Sequence, residues 1–162
     1  VTASQAKREW PVAHWIAFHR PAGAEGLRLA FTGGNSPRER EVLQQLAAAA
    51  PALPILPPAE PLPLLLAVLA ELKAFVCLDG GPMHFAAGVG TPTLSLFGPT
   101  SAQRWAPPGP QHRALQGGLC PCSGHAGRCA AARPCMAAIT PGEALAAYRA
   151  LVAGLRSAGG LA

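Results

Sequence analysis

Short apolar runs alternate with helix-like segments along this 162-residue chain, and that alternation predicts an α/β layer fold built on a parallel sheet. Two further observations agree. Half the residues are hydrophobic and only 13% are charged, which excludes a disordered or coiled-coil chain. The length suits one domain, with a core large enough to stand without disulfides.

The elements follow in order. Pro11 to about Arg20 reads as a helix with proline near its first position. Leu27 to Thr32 has the pattern of a buried strand and is followed by Gly33-Gly34-Asn35. Ser36-Pro37-Arg38-Glu39 has the spacing of a capping box, with proline at the first helical position, and opens a helix toward Ala50. Leu53 to Leu56 is a short strand among prolines. Pro63 to about Glu71 is apolar on most faces and predicts a buried helix. Ala74 to Leu78 predicts a strand, Met83 to Val89 a short helix, and Thr93 to Phe97 another strand. Residues 98 to 139 are rich in Pro, Gly and Cys, show no clear period, and read as a long functional loop. Thr140-Pro141-Gly142-Glu143 repeats the capping-box pattern and opens a final helix to about Arg156, leaving a frayed tail. Ligands of parallel sheets sit at the carboxyl ends of the strands, which singles out the loops at 33–38, 79–84 and 98–105.

The net charge is +5, and only Lys7 and Lys73 among the basic residues are lysines. The arginines are scattered, without the basic block or aromatic stripe of a nucleic-acid surface. Such a balance suits an anionic ligand or a weak attraction to an anionic membrane surface. Asp79 is the single aspartate, which leaves little for a two-carboxylate acid–base site or a Ca²⁺ or Mg²⁺ cage. Leu62 to Leu78, the most apolar stretch, is broken by Pro63, Glu71 and Lys73 and falls short of a membrane span. The chain starts at Val1 with neither an initiator methionine nor a signal-peptide core, and so reads as a fragment or a processed piece. One isolated cysteine and four crowded between 120 and 135 do not form a secreted disulfide pattern and point to the cytoplasm.

The richest chemistry lies in Asp79-Gly80-Gly81-Pro82-Met83-His84, between a predicted strand and a predicted helix. Two glycines let a phosphate approach the backbone, and a helix N-terminus offers it unpaired N–H groups and positive potential. Pro82 at the helix start removes no needed donor. Asp79 can accept from hydroxyls, and His84 can donate to a phosphate oxygen. Spacing alone serves equally well for a plain turn with Asp79 as its Asx residue or helix cap. His84 taken singly is a surface histidine.

The run FVCLDGGPMHFAAGVGTPTLSLFGPT, residues 75 to 100, resembles the signature of glycosyltransferase family 9, the bacterial lipopolysaccharide heptosyltransferases. There a strand leads into Asp-(Ser/Thr)-Gly-Pro-Met-His, a helix, Gly-Thr-Pro, a second strand and Phe-Gly-Pro-Thr. Lys7-Arg8-Glu9-Trp10-Pro11 followed by Trp15 is similar to the Lys-x-Trp-Pro segment that starts the family's C-terminal half. Arg104-Trp105 with Pro107, and the four-cysteine segment ending at Cys135-Met136, also have counterparts. The likeness runs over nearly the whole chain in the family's order.

That resemblance implies a Rossmann-like parallel sheet flanked by helices, the C-terminal half of a GT-B glycosyltransferase. Residues 1–162 would form the nucleotide-sugar (donor) binding domain, and the N-terminal acceptor domain would lie outside this chain. The family is inverting and metal-independent, with no cofactor. Its donor is ADP-heptose and its acceptor a lipopolysaccharide core, bound through the other domain. The general base is an aspartate of that domain, so no catalytic residue is assigned here. Nucleic acid is not an implied partner. Peripheral association with the cytoplasmic face of the inner membrane is.

Carried over by position, Asp79 would contact donor sugar hydroxyls, and the amides of Gly80 and Gly81, with Pro82 shaping the turn, would cradle the diphosphate. His84 would support the same site. Arg8 or Lys7 would pair with phosphate, Arg8 standing two positions before Trp10 where the family has Lys. Gly98 and Thr100 would border the nucleotide or the interdomain cleft. Gap-free alignment sets Arg38 at the family's ribose-binding Glu, with Glu39 beside it; Glu39 serves either the ribose or the capping box, and the box is favoured. The family's Ser/Thr after Asp is Gly80 here, which keeps a backbone donor and loses a hydroxyl. Trp10, Trp15 and Trp105 read as packing residues.

Cys120, Cys122, Cys129 and Cys135, with His125 nearby, are candidates for Zn²⁺ or an iron–sulfur cluster. The C-x-C spacing is tighter than the usual zinc pair; reduced thiols or disulfides serve as well, and no metal is assigned. Cys77 reads as a small core residue. Two competing functions remain: a non-catalytic nucleotide-sugar or anion-binding module, and a cysteine-rich structural metal domain.

Overall fold

Parallel pairing needs apolar strands joined by crossovers, and residues 75–116 supply both. The computed structural model describes residues 1–3, 5–24, 28–118 and 135–157, with side chains through residue 155. Strands β1 (Phe75–Leu78), β2 (Thr93–Phe97) and β3 (His112–Gln116) form a parallel sheet in that order. Phe75 pairs with Thr93 and Leu78 with Leu96; Thr93 pairs with His112 and Phe97 with Gln116. β2 lies in the middle and is buried at every position, as a strand covered on both faces must be.

Alternation along the strands divides the core in two. Leu78, Leu94 and Leu96 face one side. There α1 (Val12–Ala24), α2 (Pro37–Ala49) and α7 (Pro141–Ser157) bring Trp15, Phe18, Leu43, Leu46, Tyr148 and Leu151, and α6 (Cys135–Ala138) adds Met136. Cys77 and Phe97 face the other side and meet Met83 of α4 (Gly81–Gly88) and Ala102 of α5 (Ala102–Trp105). Burial there pushes the Cys77 thiol up to about 12, against an opposing contact with Ser95. Edge-to-face rings knit the larger core: Trp10 and Trp15 lie 4.8 Å apart, Trp15 and Phe31 5.8 Å, Phe18 and Tyr148 6.1 Å. Trp10 Nε1 donates to the carbonyl of Ile139 at 2.9 Å, which ties the start of the chain to the threshold of α7.

Both capping boxes form. Ser36 Oγ accepts from the Glu39 amide and the Glu39 carboxylate accepts from the Ser36 amide. Thr140 and Glu143 do the same, at 3.2 and 2.8 Å.

Several expectations need correction. The strands expected at 27–32 and 53–56 shrink, within the described residues, to a single parallel bridge between Phe31 and Ile55, because Pro54 has no N–H to extend the ladder. The helix expected to end near Arg20 continues through Pro21 to Ala24, held by Ala22, which is fully buried. α3 (Leu62–Ala70) is not a buried helix: Leu69 is its buried residue, while Leu62 and Leu64 stand about half exposed (48% and 49%). It lies beside α4, and the Thr91 hydroxyl donates to the Leu69 carbonyl at 2.7 Å. The supposed long loop after Phe97 holds β3, α5 and α6. β3 is largely exposed, so it shows no apolar run. Trp10 and Trp15 pack as expected at 2% exposure, but Trp105 is 48% exposed. It lies against the Arg104 guanidinium at 5.4 Å.

Candidate functional site

Three segments meet at the carboxyl edge of the sheet. Asp79 directly follows β1, and its amide donates to the Leu96 carbonyl at 3.3 Å, which continues the strand's pairing. Thr100 stands three residues beyond β2. Arg8 closes a 3₁₀ turn, Ala6–Arg8, set by burial of the neighbouring Trp10. The chain brings them together on one atom. Arg8 Nη1 lies 3.3 Å from Asp79 Oδ2, and the Thr100 hydroxyl donates to the same oxygen at 2.6 Å. The ion pair is largely buried, with side chains 22% and 11% exposed, so salt screens it less than a surface pair.

α4 begins beside this cluster. Its N-cap is Gly80, with no side-chain cap, so Asp79 is not spent on capping. Pro82 is the second helical residue, not the first, and Met83 N–H returns to Gly80 O at 3.1 Å. The amides of Gly80 and Gly81 have no acceptor among the described residues. Neither glycine is required by the protein's own backbone or packing. Gly80 is extended (φ 170°), and a Cβ there would meet only Pro82 Cδ at 3.8 Å; at Gly81 it would meet only the Phe85 ring, at 3.6 Å. What two bare glycines provide here is room above two free N–H groups at a helix N-terminus, the requirement of a phosphate.

The turn that carries Arg8 holds further unmatched polar atoms. Lys7 Nζ, Arg8 Nε and Gln5 Oε1 are all buried without a hydrogen-bond partner. Orphaned buried polar atoms cost about 1–3 kcal/mol each, and three of them on one turn beside the Asp79 cluster make that turn a candidate to meet a polar ligand. Gln5 carried no signal in the sequence, since a lone glutamine has no pattern. His84 lies in the first turn of α4 with an exposed side chain and no partner among the described residues.

Two expected residues have structural work instead. A Cβ on Gly98 would lie 2.6 Å from Met136 Sδ, so this glycine lets α6 pack against the loop after β2. Glu39 accepts from Thr2 Oγ1 and the Gly34 amide on one oxygen, and from the Ser36 amide and hydroxyl on the other. Those four donors use all the acceptor positions of a carboxylate and leave none for a ribose. Arg38 is paired with Glu9. That pair lines a separate cleft of about 290 Å³ with Trp10, Glu41 and Gln45, which includes none of the Asp79 cluster. Of the cysteine candidates, Cys135 is a buried free thiol in α6; Cys120, Cys122 and Cys129, with His125, lie outside the described residues. No group of possible metal ligands occurs among the described residues.

Residues 1–128 match glycosyltransferase family 9 (heptosyltransferase). The chain belongs to that family. It is 37% identical over 94 residues to lipopolysaccharide heptosyltransferase 1 of Pseudomonas aeruginosa, covering 58% of this chain and 26% of that protein. It is 30% identical over 108 residues to lipopolysaccharide heptosyltransferase 3 of Escherichia coli, covering 65% and 32%. It therefore spans about a quarter to a third of the curated relatives it matches. Among solved structures it resembles the E. coli heptosyltransferase WaaC with ADP, with a TM-score of 0.62 and 26% identity over 70% of this chain and 35% of that one. A family 9 glycosyltransferase from Veillonella parvula shares the fold over 95% of this chain and 44% of its own, with a TM-score of 0.78 at 18% identity. In this family 9 domain the quoted 75–100 signature spans β1, α4 and β2 and ends on Thr100, so the motif and the polar cluster are the same place. No described helix is long and apolar enough to cross a membrane.

Proposed function

We propose that this chain is the C-terminal, donor-binding domain of an inverting glycosyltransferase that moves heptose, or a related sugar, from ADP-heptose to a lipopolysaccharide core-type acceptor. The observation that carries the reading is the Arg8–Asp79–Thr100 cluster beside the two free amides of Gly80 and Gly81. Family membership and the ADP-bound relative support it.

The residues divide the work by chemistry. The Gly80 and Gly81 amides and the α4 N-terminus meet the diphosphate, with Arg8 and Lys7 supplying positive charge. His84 lies in the first turn, within the same region. These donors are preorganised before the leaving group develops its charge, which lowers the barrier without reorganisation at the moment of reaction. Asp79 accepts from a sugar hydroxyl and orients the anomeric carbon. The acceptor and the base that deprotonates it belong to the other domain, working at the cytoplasmic side of the inner membrane.

Calorimetry with ADP, UDP and GDP tests this. ADP is expected to bind most tightly. Arg8→Ala is expected to weaken it at least about tenfold, since hydrogen bonds to charged groups are worth about 1.5–3 kcal/mol. His84→Ala should weaken ADP as well, while Asp79→Ala should act mainly on ADP-heptose. Equal binding of all three nucleotides would remove the adenine preference; binding of none would remove the donor site.

A further inference from the structure

Thr100 has one hydroxyl hydrogen, and it is given to Asp79 Oδ2 at 2.6 Å. It is therefore not free to donate to a phosphate. The loop that carries it is braced from β3. Gln116 Nε2 donates to the Gly98 carbonyl at 2.7 Å, and Gln116 Oε1 accepts from the Ala102 amide at 2.8 Å. Both ends of segment 98–102 are thus pinned by one side chain. Threonine is also stiff about its first side-chain bond, so a braced backbone holds its hydroxyl in place. Arg8 approaches the same oxygen, Oδ2, at 3.3 Å. The other oxygen, Oδ1, has no donor among the described residues.

We propose that Thr100 is a positioning residue: held by the Gln116 brace, it joins Arg8 in fixing Asp79 Oδ2 and so leaves Oδ1 to accept from a hydroxyl of the donor sugar. Two donors on one oxygen stop the carboxylate from rotating. An Asp79 held only by Arg8 would turn to chelate the guanidinium with both oxygens, the geometry that pair prefers. The hydroxyl thus sets recognition of the sugar, not of the nucleotide. This rests on the donor-site reading.

The test compares ADP with ADP-heptose on the 162-residue chain, native and as Thr100→Val and Thr100→Ser, with a thermal melt of each. The native chain is expected to bind ADP-heptose more tightly than ADP. Thr100→Val keeps the shape and loses the donor; it should leave ADP affinity within about twofold and abolish the advantage of the sugar. Thr100→Ser should restore that advantage. Equal loss of both ligands in Thr100→Val, an advantage that survives it, or a serine that fails to rescue would each overturn the positioning role. So would a native chain that binds ADP but gains nothing from the sugar. A native chain that binds neither ligand defeats the donor site itself, and the role of Thr100 with it.

Discussion

Glu39 shows how a single residue can be claimed by two chemistries. Burial opposes its charge, yet hydrogen bonds from Ser36, Thr2 and the Gly34 amide outweigh that and hold its carboxyl below the ordinary value. A folded-state value below the unfolded one means stability that is complete above the unfolded carboxyl range, about 4.3, and lost as pH falls through the lowered value. Glu39→Gln keeps one accepting oxygen and turns an NH2 toward the donors that faced the other, and is expected to cost about 1 kcal/mol at neutral pH. The gap between native and variant should narrow as pH falls below the unfolded carboxyl range and close only once pH has passed the lowered value of the native carboxyl. Urea denaturation from pH 7 to pH 3 reads both. Asp79 is the contrasting case. Its neighbour Gly80 is the helix cap, so its carboxylate meets Arg8 and Thr100 through Oδ2 and keeps Oδ1 available. The S-x-x-E spacing made the role of Glu39 legible, but nothing in the motif at 79–84 told a cap from a free acceptor.

Glycines separate the elements that pack from the element proposed to bind. A Cβ at Gly117 would lie 2.0 Å from the Cys135 carbonyl oxygen, so Gly117→Ala must push α6 off β3. Its expected cost is about 1–3 kcal/mol, as for other overpacked sites. Gly81→Ala meets only ordinary contact and places a better helix former in α4. It is expected to keep or raise the melting temperature while weakening ADP, because its methyl group takes the room a phosphate needs. Melting curves beside ADP titrations distinguish the two; a Gly81→Ala that binds ADP like the native chain would show that the phosphate sits elsewhere. Element by element, β2 and both capping boxes were legible because their signals are local. β3 was not: its inward-facing and exposed residues do not alternate cleanly, and its pairing partner lies in β2. α3 was misjudged because composition counts apolar residues without knowing how little is there to cover them.

At the scale of the whole molecule, the proposed donor-binding role makes this domain half of a reaction. On that proposal it offers donors to a leaving diphosphate but no base, since Asp79, its single aspartate, is tied to Arg8 and Thr100. We expect the chain alone, given ADP-heptose and a lipopolysaccharide core acceptor, to show no sugar transfer by mass spectrometry while still binding ADP. Measurable transfer would overturn the division of labour. By itself the sequence determined the α/β class, the order of its main helices and central strands, and the motif at 79–84, because periodicity, caps and Gly-Pro punctuation act over a few residues. Only the tertiary structure decided that Arg8, not Lys7, meets Asp79, that Thr100 spends its hydrogen on that carboxylate, and that Gly98 serves packing. Those outcomes depend on which side chains from distant segments converge on one edge of the sheet. That convergence is a property of the packed layers, and no local pattern encodes it.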